Sequence, residues 1–459
     1  MPNYPFDEIV SHLTTTGFCY PGSAIYGGLA NSWDFGPLGT LMKEHLTRLW
    51  RDHFVRGLGN VIEIDPAIIM NPKVWQATGH VQTFNDPLID CKYCKSRFRA
   101  DDLISKQEPN LDVDGMTQDQ MNAEIASGRI VCPTCHKNEF TPIRKFQLMF
   151  KTFIGVTEDS SATVYLRPET AQGIFVNFKN VMRTTRSKLP VGICDIGKSF
   201  RNEITPGQFI FRTREFEQME IEFFIKPGED DKWFAWWKDN CKAFVERLGL
   251  KDQNVRYRDH EPAELAFYSK ATTDIEYLFP WGWGELMGIA CRSDYDLKRH
   301  SECSGQDLTY LDPETHEKYL PHVIEPSFGL GRLLLALWCD SYDVEKLEKD
   351  TRVVMHIAPA LAPYTFAVLP LSNKLNEAAR NEVFNRFHVD YDCVFDTTGS
   401  VGKRYRRQDE IGTPICFTYD FQSADDHCVT ARDRDTMKQE RIAIDSIPEY
   451  ISKKIGNIR

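Results

Sequence analysis

Apolar and polar residues recur with different periods in successive parts of this 459-residue chain. Residues 41–54 (LMKEHLTRLWRDHF) have the three-to-four-residue apolar spacing of an amphipathic helix. Between residues 146 and 340, runs such as TVYLRPET, GICDIGKSF and FRTREFEQMEIEFFI are typical of β-strands, and RLLLALW predicts an apolar helix after them. From residue 352 onward, strand-like runs alternate with helical ones, which indicates an α/β domain of about 100 residues.

Residues 86–145 interrupt this pattern. Two Cys-x-x-Cys pairs enclose a polar, acidic segment that has little apolar periodicity. We therefore expect these residues to form an insertion that is not part of the main core. The pattern as a whole predicts an α/β (α+β) protein of three units: a main domain formed by residues 1–85 and 146–345, the insertion at 86–145, and a C-terminal domain at 352–459.

The four paired cysteines predict a zinc-ribbon-like insertion. Each pair would place two thiolates about 3.5–4 Å apart, as a tetrahedral Zn²⁺ ion requires. The total of 13 cysteines is odd, which is typical of reduced thiols and disfavours a disulfide framework. We predict one structural zinc ion per chain, held by Cys91, Cys94, Cys132 and Cys135.

Composition narrows the class of protein. A hydrophobic content of 42% and a charged content of 26% are those of an ordinary globular chain. The net charge of −11 argues against a sequence-blind polyanion binder, although a local basic cluster such as KRYRR at 403–407 remains compatible with RNA. No apolar run reaches about 18 residues, and no basic region followed by an apolar block starts the chain, so we expect a cytoplasmic protein without a membrane span.

The stretch from Ser199 to Glu220, SFRNEITPGQFIFRTREFEQME, interleaves arginine, glutamate and phenylalanine. The pair Pro206-Gly207 predicts a turn between two strands. Because side chains two positions apart share a strand face, Arg201 and Glu203 are expected together on the first strand. On the second strand, one face would hold Arg212, Arg214, Phe216, Gln218 and Glu220, and the opposite face Glu215, Glu217, Met219, Ile221 and Phe223.

Such a face suits a nucleoside triphosphate together with an amine. Arginine matches the geometry of phosphate, a phenylalanine ring stacks on a purine, and glutamate accepts from an ammonium group or binds Mg²⁺. An exposed, salt-bridged hairpin is the competing interpretation of the same residues.

Residues 323–337 (VIEPSFGLGRLLLAL) predict a strand that runs directly into a helix. Glycines at the junction would permit close backbone approach, and Arg332 would lie in the first helical turn beside free N–H groups. Glu325 and Ser327 share a strand face. A helix junction that needs glycine explains this stretch about equally well without any ligand.

Both stretches resemble sequence motifs of class II aminoacyl-tRNA synthetases. Phe200 through Glu203 and Arg212 through Phe216 match the second motif, and GLGR with Arg332 matches the third, although the acidic residue that usually precedes this arginine is absent. Longer segments, among them GFCYPGSAIYGGLANSWDFGPLG, YLRPETAQGIFVNF and GSVGKRYRRQDEIGTP, resemble single-chain, homodimeric glycyl-tRNA synthetases over nearly the whole chain. The resemblance implies an antiparallel-sheet catalytic domain with helices and a C-terminal α/β anticodon-binding domain.

The resemblance also implies a reaction and its residues. Glycine and ATP, with Mg²⁺, would give glycyl-adenylate, and glycine would then pass to the 3′ end of tRNA(Gly). Arg201, Glu203 and Arg332 are implied as catalytic, and Glu285 as the Mg²⁺ ligand. The implied ATP-binding residues are Arg201, Asn202, Glu203, Phe211, Arg212, Thr213, Arg214, Glu215, Phe216, Glu285, Leu286, Gly329, Leu330, Gly331 and Arg332. The implied glycine-binding residues are Arg99, Glu169, Phe216, Glu217, Gln218, Met219, Glu220, Arg292, Glu325, Pro326, Ser327, Phe328 and Gly329.

Two partners are implied in the same way. The C-terminal segment resembles the anticodon-binding domain shared by the glycine, histidine, proline and threonine enzymes, so we expect the KRYRR cluster to contact RNA. Residues 58–80 match the first class II motif, which forms the dimer interface in these enzymes. A homodimer is therefore expected.

Three alternatives remain open at this point. The chain could be a non-catalytic synthetase paralogue that binds RNA, a zinc-ribbon nucleic-acid-binding protein, or a sister synthetase for another amino acid. The first would usually have lost ATP-binding residues, yet Arg201, Glu203, Phe216 and Arg332 are all present. The acidic net charge argues against the second.

Overall fold

The computed structural model describes residues 4–111, 113, 115–262, 264–266, 269–348 and 350–455. Its centre is a seven-stranded sheet, called here the central sheet. Neighbouring strands pair antiparallel, except that the edge strand Val61–Glu63 runs parallel to its neighbour. In spatial order the strands are Val255–Asp259, Thr272–Phe279, Gly282–Ser293, His322–Gly329, Glu215–Ile225, Val191–Phe200 and Val61–Glu63. The predicted antiparallel-sheet domain is confirmed.

Alternation along the strand Glu215–Ile225 separates a core face from a polar face. Met219, Ile221 and Phe223 are fully buried in the largest apolar core, which also contains Trp50 and Trp237. The helices packed around this sheet are Phe6–Thr16, Pro37–Trp50, Pro72–Ala77, His80–Thr83, Ala171–Thr185, Asp230–Arg247, Tyr295–Ser304 and Leu330–Ser341. The even-numbered residues of the strand lie on the opposite face, where Phe224 packs on helix Ala171–Thr185.

The predicted hairpin at 199–220 is wrong between Arg201 and Arg214: Arg201 and Glu203 do not lie on a first strand, and the second strand starts later than predicted. The first strand ends at Phe200 and the second begins only at Glu215, so residues 201–214 form a loop. Other segments satisfy the polar groups at the start of this loop: the Asn202 N–H donates to the Leu148 carbonyl at 2.7 Å. Gln208 and Phe209 have positive φ angles of 55° and 57°, which interrupt any continuous strand. Arg212 and Arg214 therefore do not share a strand face with Phe216.

The insertion has more structure than its sequence pattern indicated. Its helices are Ala100–Gln107 and Gln118–Ala126, and its three-stranded sheet is formed by Asn85–Asp90, Arg97–Arg99 and Arg144–Gln147. Thr117 and Gln120 form a reciprocal capping box that starts the second helix. Leu103, Ile104 and Ile125 pack with two of the paired cysteines in a small separate core.

The C-terminal region contains a mixed five-stranded sheet. Its strands, in spatial order, are Cys393–Phe395, Phe366–Pro370, Ile415–Tyr419, Cys428–Asp433 and Gln439–Ala443, and its longer helices are Val401–Glu410 and Ile447–Ile455. A hairpin, Tyr342–Lys346 with Thr351–Met355, precedes it. Short two-stranded ribbons are formed by Cys19–Pro21 with Trp33–Phe35, Lys151–Phe153 with Thr163–Tyr165, and Tyr310–Leu311 with Lys318–Tyr319.

Two arginines of the KRYRR cluster are engaged within the domain. Arg404 is buried and donates to the carbonyls of Thr397 and Gly399 at 2.8 and 2.7 Å. Arg407 pairs with Asp396 at 2.7 Å. Because the Arg404 side chain is buried, it stabilises its own domain and does not contact RNA.

Among the described residues, no helix combines the length and the apolarity needed to cross a membrane.

Candidate active site

A cavity of about 340 Å³ opens on the polar face of the central sheet. Its floor is made by two paired strands, in which Glu220 lies opposite Ser327 and Gln218 opposite Gly329. The loop 201–214 closes one side. Of the predicted residues, those that line this cavity are Glu169, Arg201, Glu203, Phe211, Arg212, Thr213, Phe216, Glu217, Gln218, Glu220, Glu285, Glu325, Ser327, Gly329, Gly331 and Arg332.

Carboxylates concentrate at one end of the cavity. Glu169 lies 3.4 Å from Nε2 of His80 and accepts from Gln172 at 2.9 Å. Burial pushes the pKa of Glu169 upward, but His80, together with Arg292 and Gln172, more than offsets this and holds the pKa below its ordinary value. Glu220 accepts a short hydrogen bond from the hydroxyl of Thr170. This end of the cavity therefore carries negative charge that is only partly neutralised.

Glu325 completes the acidic end. Its Oε2 accepts from Nη1 of Arg292 at 2.6 Å, and both side chains are largely removed from solvent. Burial raises the pKa of the Glu325 carboxyl well above its usual value; Arg292 opposes this shift, and Glu220 adds to it. The same Ser327 that faces Glu220 lies 3.3 Å from Nε2 of Gln218.

Arg201 lies between two aromatic rings. Its guanidinium carbon is 5.2 Å from the ring centre of Phe216 and 5.3 Å from that of Phe84, both within cation–π range. Its Nε donates to the Pro168 carbonyl at 3.0 Å. These contacts hold a charged guanidinium at the cavity without a carboxylate partner among the described residues, so its charge remains available to an anion.

Arg332 and Glu285 form the opposite rim. Nη1 of Arg332 lies 3.0 Å from Oε2 of Glu285, and the guanidinium carbon is 4.5 Å from the ring centre of Phe211. Burial pushes the pKa of Glu285 upward, but Arg332, together with Arg201 and His260, outweighs burial and holds the pKa below its ordinary value, so the carboxyl is ionised. At Gly331 a Cβ would come within 3.2 Å of the Ile210 carbonyl, so the glycine permits the close approach of the 201–214 loop.

Two predicted arginines do not line the cavity. Arg292 lies beneath it, engaged by Glu325 and by Asp296 at 2.8 Å. Arg99 belongs to the insertion and pairs with Asp101 at 2.6 Å and Asp86 at 3.3 Å. Their charges are already balanced by carboxylates, so Arg292 serves here to orient Glu325.

Other predicted residues lie elsewhere. Asn202, Arg214, Glu215 and Leu330 line a neighbouring cavity of about 1000 Å³, which Thr213 also borders. The side chains buried away from the site are Met219, Leu286, Pro326 and Phe328. Met219 and Phe328 are directly paired in the sheet, and both point into the main core because strand alternation turns them from the cavity.

Comparison with known proteins agrees with this architecture. The family model described as tRNA synthetase class II core domain (G, H, P, S and T) matches residues 150–341, and the one described as anticodon binding domain matches residues 365–454. Proteins named glycine–tRNA ligase from Agathobacter rectalis, Caldanaerobacter subterraneus subsp. tengcongensis and Geobacillus thermodenitrificans are each 58% identical to this chain. Each alignment covers 98% of this chain, and 98%, 98% and 97% of the respective relatives.

The chain belongs to the glycine–tRNA ligase family. The resemblance stated from the sequence motifs is thereby confirmed, as are the class II core and the anticodon-binding domain.

In this glycine–tRNA ligase family member, the cavity has a further wall that sequence reasoning missed. His260, Glu264 and Asp274 line it, and Nε2 of His260 is 2.7 Å from Asp274. Burial and the neighbouring Glu285 raise the pKa of Asp274. The sequence signal that could have indicated this wall is the alternation of Asp274 and Glu276 in the strand TTDIEYLF.

The paired cysteines of the insertion form one group. Their Sγ atoms all lie within 4.8 Å of one another, with Cys91 3.6 Å from Cys135 and Cys94 3.5 Å from Cys132. These separations are too long for disulfides, whose sulfur atoms are about 2.05 Å apart. They are close to the edge of about 3.8 Å expected when four sulfurs surround zinc at about 2.3 Å. The donor set and its geometry fit a structural zinc ion.

Proposed function

We propose that this chain activates glycine with ATP to glycyl-adenylate and pyrophosphate, then transfers glycine to the 3′ end of tRNA(Gly). Family membership supports this function. The observation that carries it is one cavity with Glu169, Glu220 and Glu325 at one end and Arg201 and Arg332 at the other. Glycine has no side chain, so its ammonium group must supply recognition, and carboxylates are its natural partners.

At the phosphate end, we assign Arg201 to the α-phosphate, where its charge would stabilise the in-line attack of the glycine carboxylate. Positive charge and positioning, rather than a protein base, are what phosphoryl transfer requires. Phe216 would stack on adenine with Arg332 on the other side of the base. Glu203 would accept from the adenine amino group, and Arg212 would reach the γ-phosphate.

Glu285 fits the role of Mg²⁺ ligand. It is an ionised carboxylate on the cavity rim, and hard oxygen ligands of this type suit Mg²⁺ bound with triphosphate. The ion would neutralise phosphate charge. We likewise propose that one zinc ion per chain, held by the four paired cysteines, stabilises the insertion.

The experiment that tests the reaction is ATP–pyrophosphate exchange across the twenty amino acids. We expect exchange with glycine and none above background with the other nineteen. Exchange that depends on another amino acid would make the protein a sister synthetase. No exchange with any amino acid, combined with retained tRNA binding, would favour the non-catalytic paralogue.

We also propose a homodimer through residues 58–80 and a cytoplasmic location. Sedimentation equilibrium should give a mass near twice the chain mass of 53.0 kDa. The boundaries predicted from the sequence, 1–85 with 146–345, 86–145 and 352–459, stand as our proposed domain division. The C-terminal domain would contact tRNA(Gly).

A further inference from the structure

A fourth acid, Glu222, lies beneath the acidic end of the cavity without lining it. It belongs to the same strand as Glu220 and is completely buried. Neither of its carboxylate oxygens has a hydrogen-bond partner among the described residues. One oxygen from each of Glu220, Glu222 and Glu325 lies within 4.8 Å of the others. An ionised carboxylate without a hydrogen-bond partner is strongly disfavoured in such buried surroundings.

The charges around Glu222 leave it no cation of its own. The groups that face it are Glu220 on the same strand, Glu325 on the adjacent strand, Arg292 on the next strand and Asp296 on helix Tyr295–Ser304. Arg292 already contacts Glu325 at 2.6 Å and Asp296 at 2.8 Å. Three acids and a shared guanidinium therefore surround Glu222, and carboxylates so close together cannot all ionise.

Burial, with the nearby Glu325, raises the pKa of Glu222 well above its ordinary value. A protonated Glu222 would be a hydrogen-bond donor, whereas its closest polar neighbours are carboxylate acceptors. Protonation of Glu222 removes one negative charge from the cluster and leaves the carboxylates of Glu220 and Glu325 as hydrogen-bond acceptors.

We propose that Glu220, Glu222 and Glu325 share one proton held by Glu222, and that this proton leaves for solvent when the ammonium group of glycine binds. The O–H bond of the carboxylic acid breaks, the buffer takes up the proton, and the incoming ammonium charge replaces it. Glu222 acts through Glu220 and Glu325, so it is a positioning residue for the glycine site. This inference rests on the proposed function.

The sign of the pH dependence follows from this exchange. While the cluster is protonated, binding releases a proton, so apparent glycine affinity increases with pH by up to tenfold per unit for one full proton. Above the pH at which the cluster loses its proton, the affinity levels off. In Glu222→Gln the amide has the shape of the protonated acid but no proton to lose, and the affinity should be independent of pH.

Calorimetry on the full chain tests this directly. Glycine is titrated at one near-neutral pH into protein in phosphate and in Tris, whose ionisation enthalpies differ. We expect the binding enthalpy of the wild type to differ between buffers by the amount that corresponds to release of close to one proton. Glu222→Gln should bind glycine at least about tenfold more weakly than the wild type at this pH, with no buffer dependence. Glu449→Gln, the same chemical change on an exposed residue of the last helix, should behave like wild type.

Each outcome is decisive. Binding of glycine by the wild type without buffer dependence overturns the proton-release proposal and leaves the proposed function intact. Proton release that persists in Glu222→Gln assigns the proton to another residue and also overturns it. Failure of the wild type to bind glycine or support exchange refutes the proposed function instead. If Glu222→Gln does not fold, the wild-type buffer dependence still decides the proposal.

Discussion

The acids around the cavity differ in what neutralises them. Glu169 has His80 beside it, and Glu325 has the Arg292 guanidinium at 2.6 Å. Glu220 has the hydroxyl of Thr170 and lacks a cationic partner among the described residues. An ammonium group entering the cavity would therefore gain most from Glu220, while Glu325 is held in a fixed orientation by its arginine.

Glu325→Gln should separate glycine binding from ATP binding. We expect the KM for glycine to rise by about 10- to 100-fold, since a hydrogen bond to a charged group contributes about 1.5–3 kcal/mol. The KM for ATP should change by less than about threefold. Pyrophosphate exchange with each substrate varied in turn measures both constants.

Glu203→Gln is the reciprocal control, because Glu203 lines the same cavity at the end assigned to ATP. It should raise the KM for ATP and leave that for glycine nearly unchanged. An equal rise of both constants in Glu325→Gln would remove Glu325 from the glycine site.

The insertion and the two segments that flank it contact the loop 201–214 at three places. The Phe84 ring lies 5.3 Å from the Arg201 guanidinium, and the Leu148 carbonyl accepts from the Asn202 N–H at 2.7 Å. Asp102, on the first helix of the insertion, is 3.4 Å from Nη1 of Arg212. The insertion and its flanking segments thus support the loop that carries both phosphate-binding arginines of our proposal.

Asp102→Asn should weaken ATP binding by loosening Arg212. Both side chains are about one-third exposed, with 33% and 30% of their surface accessible, so we expect an increase in the KM for ATP of only about two- to fivefold. The KM for glycine should not change. Asp101→Asn is the matched control, because Asp101 pairs with Arg99 at 2.6 Å. A lower KM for ATP in Asp102→Asn would show instead that Asp102 competes with phosphate for Arg212.

Removal of one paired cysteine should release zinc and loosen the insertion. Cys91 is buried in the core of the insertion, so Cys91→Ser removes a metal ligand and a packing group together. We expect zinc content, measured by mass spectrometry, to fall from about one per chain to near zero. Proteolytic cleavage between the two insertion helices should become faster.

The exposed Cys303 provides the comparison for that experiment. Cys303→Ser should retain zinc and resist protease as the wild type does. Full zinc content in Cys91→Ser would contradict the four-cysteine site.

Ionic contacts attach the C-terminal domain to the rest of the molecule. Arg352, fully buried, contacts Glu345 at 2.6 Å and Asp409 at 3.3 Å, and donates to the Arg434 carbonyl at 2.7 Å. His45, on helix Pro37–Trp50, pairs with Asp392 at 2.9 Å. A firm attachment of this kind would set the distance between the cavity and a bound anticodon.

Arg352→Met should reduce stability and uncouple the two steps of the reaction. Loss of one partner from a buried ion pair costs about 3–5 kcal/mol, because the remaining carboxylates stay buried. Aminoacylation should fall more than pyrophosphate exchange, since only the former needs both domains. Arg386→Met, which removes an exposed pair with Asp445, should change stability by less than about 1 kcal/mol. A melting temperature for Arg352→Met equal to that of this control would contradict the prediction.

Local pattern was enough to predict much of this molecule. Period-two alternation placed Phe216, Gln218 and Glu220 on one strand face, and the apolar run after Gly329 predicted helix Leu330–Ser341. The spacing of four cysteines predicted a cluster, and the order of the motifs predicted the family. Such features are readable because each depends on residues that are near one another along the chain.

Long-range contacts determined the rest. The local sequence does not distinguish Arg201 from Arg292. In the folded protein the charge of Arg201 faces the cavity, whereas Arg292 is already engaged by Asp296 and Glu325. The loop 201–214 departs from a regular hairpin because Gln208 and Phe209 adopt positive φ angles and because the Asn202 N–H donates to the distant Leu148 carbonyl. Glu222 is one glutamate among several in its strand, and only the packing of the adjacent strand leaves its carboxylate buried without a hydrogen-bond partner in the described part of the chain. Pairing and desolvation depend on segments far apart in sequence, so they emerge only when the chain has folded.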